Sequence, residues 1–416
     1  LRLNIDAGRR ALQAAAYSSA LQYLLTAMNL LGPDAWQTDY DLTLRAHVEA
    51  AEAAYLTADF ETVDRLTREV ANQARDNLTV ARIQEVKVRA LMAERRLSEA
   101  GQVGFESLAL LGEKLPDQAS AERVAEEFEA VQEAIPADKI ESLSALHPMT
   151  CPQKLAAMRM LMTVFSSAYL SQPEYLPILA CRQVRLSALH GNAPQSAYGY
   201  AAYGLLLCGP LGDLKTGYRF GSVAMKLLES EGEERMKCRV WHIVMTFIKP
   251  WKEPLHTSLE PLLEAHHSGL SGGDFEYAAF TALVHCYYSY FAGLGLAEVE
   301  EKMESFHPVI ARLGQRTNSR YLETWQRMVH TLRNPDVDPT RFGTDFQEKN
   351  LGVLADDRTG LFFIHFMRMS LEYTFGLFKD AAESSKQAGE YLDGVTANVT
   401  LAYYCFLDAL IQLACY

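Results

Sequence analysis

Ala50-Ala51-Glu52-Ala53-Ala54-Tyr55-Leu56-Thr57-Ala58-Asp59-Phe60-Glu61-Thr62-Val63 is the run on which the reading of this chain turns. Small residues gather before an aromatic, a short polar break follows at Ala58-Asp59, and a second helical pattern starts at Phe60. Two antiparallel helices approach closely only where the side chains between them are small, and an aromatic at the turn plugs the gap that remains. The run therefore reads as one helical hairpin. The same texture lies on both sides of it. In Ala7 to Leu31, Gly8, Ala11, Ala20 and Ala27 mark two facing helices, with Tyr17 at the turn and Leu24 on the inner face. A third unit carries Val88 and Leu91, then Arg95-Arg96-Leu97-Ser98-Glu99-Ala100. Superposing Ala20, Val63 and Ala100 gives steps of 43 and 37 residues. One hairpin cannot bury its apolar face alone, so such units stack on one another.

Further along, Phe375-Gly376-Leu377-Phe378-Lys379-Asp380-Ala381, with Ala388 seven residues on, matches the second helix of a tetratricopeptide repeat best of all. Ala58-Asp59-Phe60 and Gly273-Asp274-Phe275 carry related turns. The steps are slightly longer than the ~34 residues of that repeat. Between these regions, Asp117 to Glu141 is acidic and places Val124, Phe128, Val131 and Ile135 at helical spacing until Pro136 ends it. Helices are then expected from Pro152 to about Leu170, from about Glu174 to His190, from Pro194 to Cys208 and from Tyr218 to Leu228, the last after a turn at Gly212-Asp213. Strand alternation does not recur, and about 70–80% helix is expected, well above the usual share. The fold class is all-α, with tetratricopeptide-like helical hairpins stacked into a superhelical solenoid. Three regions are expected: hairpins over 1–115, an acidic connector helix and loop over 116–150, and a second helical array over 151–416, truncated at its C-terminal end.

The 416 residues carry 39 Lys+Arg against 52 Asp+Glu, a net charge of −13. That balance argues against nucleic acid and anionic membrane as partners. No run of 18 uncharged apolar residues exists; Leu401 to Tyr416 is broken by Asp408, so no membrane span is expected. Seven cysteines, odd in number and widely spaced, fit reduced thiols buried in a cytoplasmic protein. The start at Leu1 and the capless apolar end at Tyr416 read as cuts inside a longer chain.

Catalytic signatures are missing. The nearest run to a phosphate loop, Gly209 to Thr216, has no Gly directly before Lys215. HExxH and GxSxG are absent. Asp356-Asp357-Arg358-Thr359-Gly360 reads as a capped helix start rather than a carboxylate pair. Cys238 and His242, at i,i+4, with His285-Cys286 from a neighbouring helix, are the best metal candidate; core packing is the stronger reading, and no metal or cofactor is expected. His266-His267 reads as a solvated helix end.

Aromatic residues are dense from Tyr198 to Phe291. Most belong to the core, but Tyr287-Tyr288 and Tyr290-Phe291 cover more than one helix face, so some are expected to face a groove or an adjoining domain. The groove candidates are Tyr198, Tyr203, Trp241, His242, Tyr277, His285 and Tyr288.

Several stretches together resemble one family. They are Asn4-Ile5-Asp6-Ala7-Gly8-Arg9-Arg10-Ala11, Ala50 to Leu56, Trp251-Lys252-Glu253-Pro254-Leu255, Gly272-Gly273-Asp274-Phe275-Glu276-Tyr277, Asp357-Arg358-Thr359-Gly360-Leu361 and Tyr391-Leu392-Asp393-Gly394-Val395. The chain resembles the large helical region of multidomain bacterial signalling proteins. These join a serine/threonine-kinase-like domain, a nucleotide-binding ATPase module, this region, a GAF domain and a sensor histidine kinase; related fungal hybrid kinases share the plan. The resemblance implies a cytoplasmic, non-catalytic sensor or scaffold region of a two-component signalling protein. It would bind a small molecule, a peptide or a neighbouring domain of the parent chain and relay the signal to the kinase. The parent's kinase and ATPase chemistry would lie outside this chain. Two alternatives stand beside it: an inducer-binding superhelix of an ATPase-type transcription activator, and a mechanical interdomain spacer.

Overall fold

The computed structural model describes residues 1–231, 234–334, 336, 337, 342 and 357–416. It is all-helical, 81% helix, with no strand among the described residues. Contacts divide the chain into two units. One comprises Leu1–Asp117 with Met149–Val164, the other Gln118–Pro148 with Phe165–Tyr416.

The first unit holds α1 (Arg2–Gln13), α2 (Tyr17–Asn29), α3 (Ala35–Thr38), α4 (Tyr40–Leu56), α5 (Phe60–Gln73), α6 (Asn77–Ala93) and α7 (Leu97–Leu110), with the start of α9 (Pro152–Ser171). Its core joins Ile5, Leu24, Ala50, Ala54, Val63, Leu66 and Ile83. The small-residue logic holds at atomic scale: a Cβ on Gly8 would lie 2.6 Å from Leu24 Cγ. Asp59 and Asp76 cap their helices by accepting from the backbone N–H groups of Thr62 (3.1 Å) and Thr79 (2.8 Å).

The turns explain the repeat. Ala15, Ala58 and Arg95 take the left-handed conformation with φ of 55°, 57° and 68°. In each, the next N–H reaches back across the turn: Ala16 to Ala11 O, Asp59 to Ala54 O, Arg96 to Leu91 O, at 2.8–2.9 Å. The left-handed residue's own N–H bonds to Leu12 O, Tyr55 O and Met92 O respectively. This double closure satisfies carbonyls that a helix end leaves bare. Gly273 and Gly376 make the same turn in the second unit. Five residues beyond each left-handed position stands a fully buried residue: Ala20, Val63, Ala100, Ala278 and Ala381. The spacing of 43 and 37 seen in the sequence is the spacing of these turns.

The second unit contains α8 (Ala121–Ala134), a 3-10 turn over Ala137–Ala145, the end of α9, α10 (Leu176–His190), α11 (Ser196–Cys208), α12 (Leu214–Glu231), α13 (Glu234–Ile243), α14 (Leu259–Gly272), α15 (Phe275–Phe291), α16 (Leu296–Arg312), α17 (Arg316–Arg333), α18 (Arg358–Thr374), α19 (Phe378–Gly389) and α20 (Thr400–Cys415). Every residue of α11 is buried, as is α15 from Phe275 to Ser289 apart from Phe280. A helix apolar all round belongs in the middle of its unit, and that position accommodates the aromatics of α15 on more than one face. Glu127 on α8 is buried against Arg182 (2.8 Å) and Arg185 (3.4 Å) of α10.

Some sequence expectations need correction. α12 begins at Leu214 rather than Tyr218, because Asp213 accepts from Thr216 N–H (3.0 Å) and Gly212 turns the chain at φ 64°. His266 is not a solvated helix end. It lies inside α14, buried, with Nδ1 donating to Ala278 O at 2.8 Å, while His267 is exposed. Four cysteines (Cys181, Cys208, Cys238 and Cys286) are buried, but Cys405 and Cys415 are exposed. Asp357 caps α18 as expected, accepting from Gly360 N–H at 2.8 Å; Asp356 lies outside the described residues. No helix among the described residues is long and apolar enough to cross a membrane.

Candidate functional site

The second unit holds a partly open cavity of about 60 Å³. The end of α9 supplies Phe165, Ser166 and Tyr169; α11 supplies Tyr198 and Leu205; α13 supplies His242 and Ile243. Phe247 comes from the next turn. From α15 come Tyr277, Phe280, Leu283, Val284 and Tyr287, and Tyr321, Thr359, Phe363 and Asn398 close the far side. These residues meet because the buried helices α11 and α15 bring their aromatic faces together, and because the regular helix ends abruptly after α13. Val244–Ile248 forms a π-helical turn and Lys249–Trp251 a 3-10 turn. Such turns interrupt the regular ladder and often flank functional sites. Here Thr246 O is taken by the Tyr288 hydroxyl at 2.6 Å, and Trp251 Nε1 donates to Ala397 O at 3.0 Å.

The wall side chains pack against one another. His242 stacks on Phe280 at 5.5 Å and meets Phe247 and Tyr277 edge-on at 5.6 and 5.5 Å. Tyr198 and Tyr277 share a hydroxyl–hydroxyl hydrogen bond of 2.7 Å. Behind them Arg239 lies 4.4 Å over the Tyr277 ring and is clamped in a two-point ion pair by Asp274. Burial opposes the charge on Arg239, but Asp274, together with Tyr277 and Glu276, outweighs it and holds the guanidinium charged. Burial raises the Tyr198 and Tyr277 hydroxyls, so both stay protonated.

The polar atoms of the cavity divide into two sets. Most hydroxyls are spent within the protein: Tyr169 donates to Thr396 O, Tyr321 to Asp357, Thr359 to Gly394 O, and Tyr287 accepts from Asn398. Ser166 Oγ and His242 Nδ1 are buried with no protein partner. Burial pushes His242 down to about 3, so its ring is neutral at ordinary pH. The cavity lining contains no Asp, Glu, Lys or Arg.

Of the residues singled out in the sequence, Tyr198, His242 and Tyr277 line this cavity together. The others stand elsewhere in the unit. Tyr203 packs on Phe220 (4.8 Å) and Phe128 (5.7 Å). Trp241 lies under Lys237 Nζ at 4.5 Å. His285 Nδ1 donates to Leu259 O at 3.0 Å, and Tyr288 is held on the π turn. Ser166, Tyr169, Phe363 and Asn398 had no signal in the linear sequence, because they come from segments far apart in the chain. Among the described residues no three His, Cys, Asp or Glu converge as metal ligands. Cys238 instead lies against α14, where a Cβ on Gly269 would approach its sulfur to 2.8 Å.

No family model matches the chain. The chain is similar to hybrid signal transduction histidine kinase G of Dictyostelium discoideum, at 20% identity over 372 residues. That match takes in 83% of this chain and 11% of the length of the kinase.

Proposed function

We propose that the chain is a non-catalytic sensor or scaffold region of a multidomain signalling protein, built of tetratricopeptide-like hairpins in a superhelical array. It takes a ligand or a neighbouring domain and biases an attached kinase. The observation that supports this reading is the match to a much longer hybrid histidine kinase, in which 83% of this chain corresponds to 11% of the relative's length. Its cytoplasmic setting and lack of a cofactor belong to the same proposal. A ligand biases a kinase only by the difference in its affinity for two states. The aromatic cavity supplies a place where such a difference can arise.

The test uses the full-length protein. Its reading frame is expected to carry an ATPase module before this region, with a GAF domain and a histidine kinase after it. Autophosphorylation is expected to change when the cavity is altered by Ser166→Ala with His242→Phe. A C-terminal helix-turn-helix in place of the kinase would favour the inducer-binding activator. Unchanged autophosphorylation would favour the mechanical spacer.

A further inference from the structure

We infer that the cavity between α9, α11, α13 and α15 is a binding site for a compact, uncharged molecule with an apolar body and a hydroxyl or equivalent group. The inference deepens the ligand-binding part of the function proposed above and rests on it only for its signalling consequence.

Three observations fix the ligand class. The first is size. At about 60 Å³ the cavity has room for roughly four or five water-sized groups, well short of the ~150 Å³ that holds benzene. A ligand of about four to six heavy atoms is therefore expected. The second is charge. With no ionised side chain in the lining, an ammonium or carboxylate would lose its hydration without a counter-charge. The third is hydrogen bonding. Buried polar atoms are almost always paired, and an unpaired one carries its full desolvation cost. Here two residues that line one cavity each carry such an atom, Ser166 Oγ and His242 Nδ1, and both residues are more than nine-tenths buried. Serine both donates and accepts, and a neutral imidazole nitrogen does one or the other according to tautomer. A hydroxyl matches either role. The His242 ring is fixed by three aromatic neighbours, so Nδ1 is pre-oriented.

The experiment titrates the 416-residue chain with primary alcohols from ethanol to octanol by ligand-observed NMR, with butylammonium and butyrate as charged analogues of butanol. Affinity is expected to peak near butanol or pentanol and then fall, with the charged analogues at least tenfold weaker. The Ser166→Ala, His242→Phe double variant is expected to weaken butanol about tenfold. It should keep the wild-type circular dichroism, because neither atom serves a protein partner. The Ser166→Ala single variant carries the same test if the double variant misfolds. Affinity rising steadily with chain length, unaltered in the variants, would mean non-specific partition and overturn the site. Absence of binding across the series would mean a cavity for water only and overturn it equally. Specific binding with no change in autophosphorylation of the full-length protein would sink the sensor reading and leave the site standing.

Discussion

Replacing Gly217 by alanine puts the close approach of α11 and α12 to a quantitative test. A Cβ at that position would lie 2.5 Å from Cys208 Sγ, 2.7 Å from Gly204 O and 3.1 Å from Cys208 N. Two of those three atoms are backbone and cannot rotate away. Even favourable carbon–oxygen contacts stop at about 3.3 Å, so the helices must separate by roughly half an ångström. Overpacking of this kind costs about 1–3 kcal/mol. Alanine returns up to ~1 kcal/mol through its better helix propensity. The net expectation is a loss of roughly 1–2 kcal/mol, or about 2–8 °C in midpoint for a unit of this size. Gly272 is the control: it also lies in a helix, but nothing stands within 4 Å of its Cβ position. Gly272→Ala is expected to hold or raise stability by up to ~1 kcal/mol. Urea unfolding followed by tryptophan fluorescence suits the purpose, since Trp241, Trp251 and Trp325 belong to the second unit and Trp36 to the first. Equal effects at Gly217 and Gly272 would refute the close-contact reasoning.

Asp274→Asn leaves the buried Arg239 guanidinium without its counter-ion and is expected to cost about 3–5 kcal/mol, with much of the loss recovered by adding Arg239→Met, in a double-mutant cycle. Burial lowers His242 to about 3, against about 6.5 in the unfolded chain. Between those values the unfolded state binds a proton that the folded state refuses, so stability is complete above about pH 6.5 and falls as pH drops, by up to ~1.4 kcal/mol per unit. Burial moves His266, His285 and His365 the same way. The His242→Phe variant is thus expected to lose stability less steeply from pH 6.5 to 5 than wild type, and parallel curves would contradict it. A thiol reagent is expected to modify Cys405 and Cys415 rapidly, while Cys181, Cys208, Cys238 and Cys286 react only on unfolding; fast modification of six thiols would disprove the described burial.

The hairpins were legible because their signal is local. A left-handed turn and a buried residue five positions on recur at Ala15 and Ala20, Ala58 and Val63, and Arg95 and Ala100, and both members lie within one short window. The burial of α15 was not legible: aromatics on more than one face pointed to a groove or an adjoining domain, whereas the helix is buried from Phe275 to Ser289 apart from Phe280. The cavity was legible only in part. Tyr198 and Tyr277 were noticed as aromatics, but the hydrogen bond joining them spans 79 positions and follows from tertiary packing. Tyr203 shares a helix with Tyr198, yet its ring turns to Phe220. Ser166 carries no pattern at all; its place depends on α9 reaching the same cavity as α13. The partners of Glu127 were equally hidden, since an acidic stretch displays its charge but not the arginines that will meet it.

The claim that the second unit holds a ligand cavity is tested most directly by a crystal structure of the chain soaked in butanol. The account predicts electron density for one alcohol among Phe165, His242 and Tyr277, its oxygen about 2.7–3.2 Å from Ser166 Oγ or His242 Nδ1. Ordered waters alone at those two atoms, identical with and without the alcohol, would contradict it.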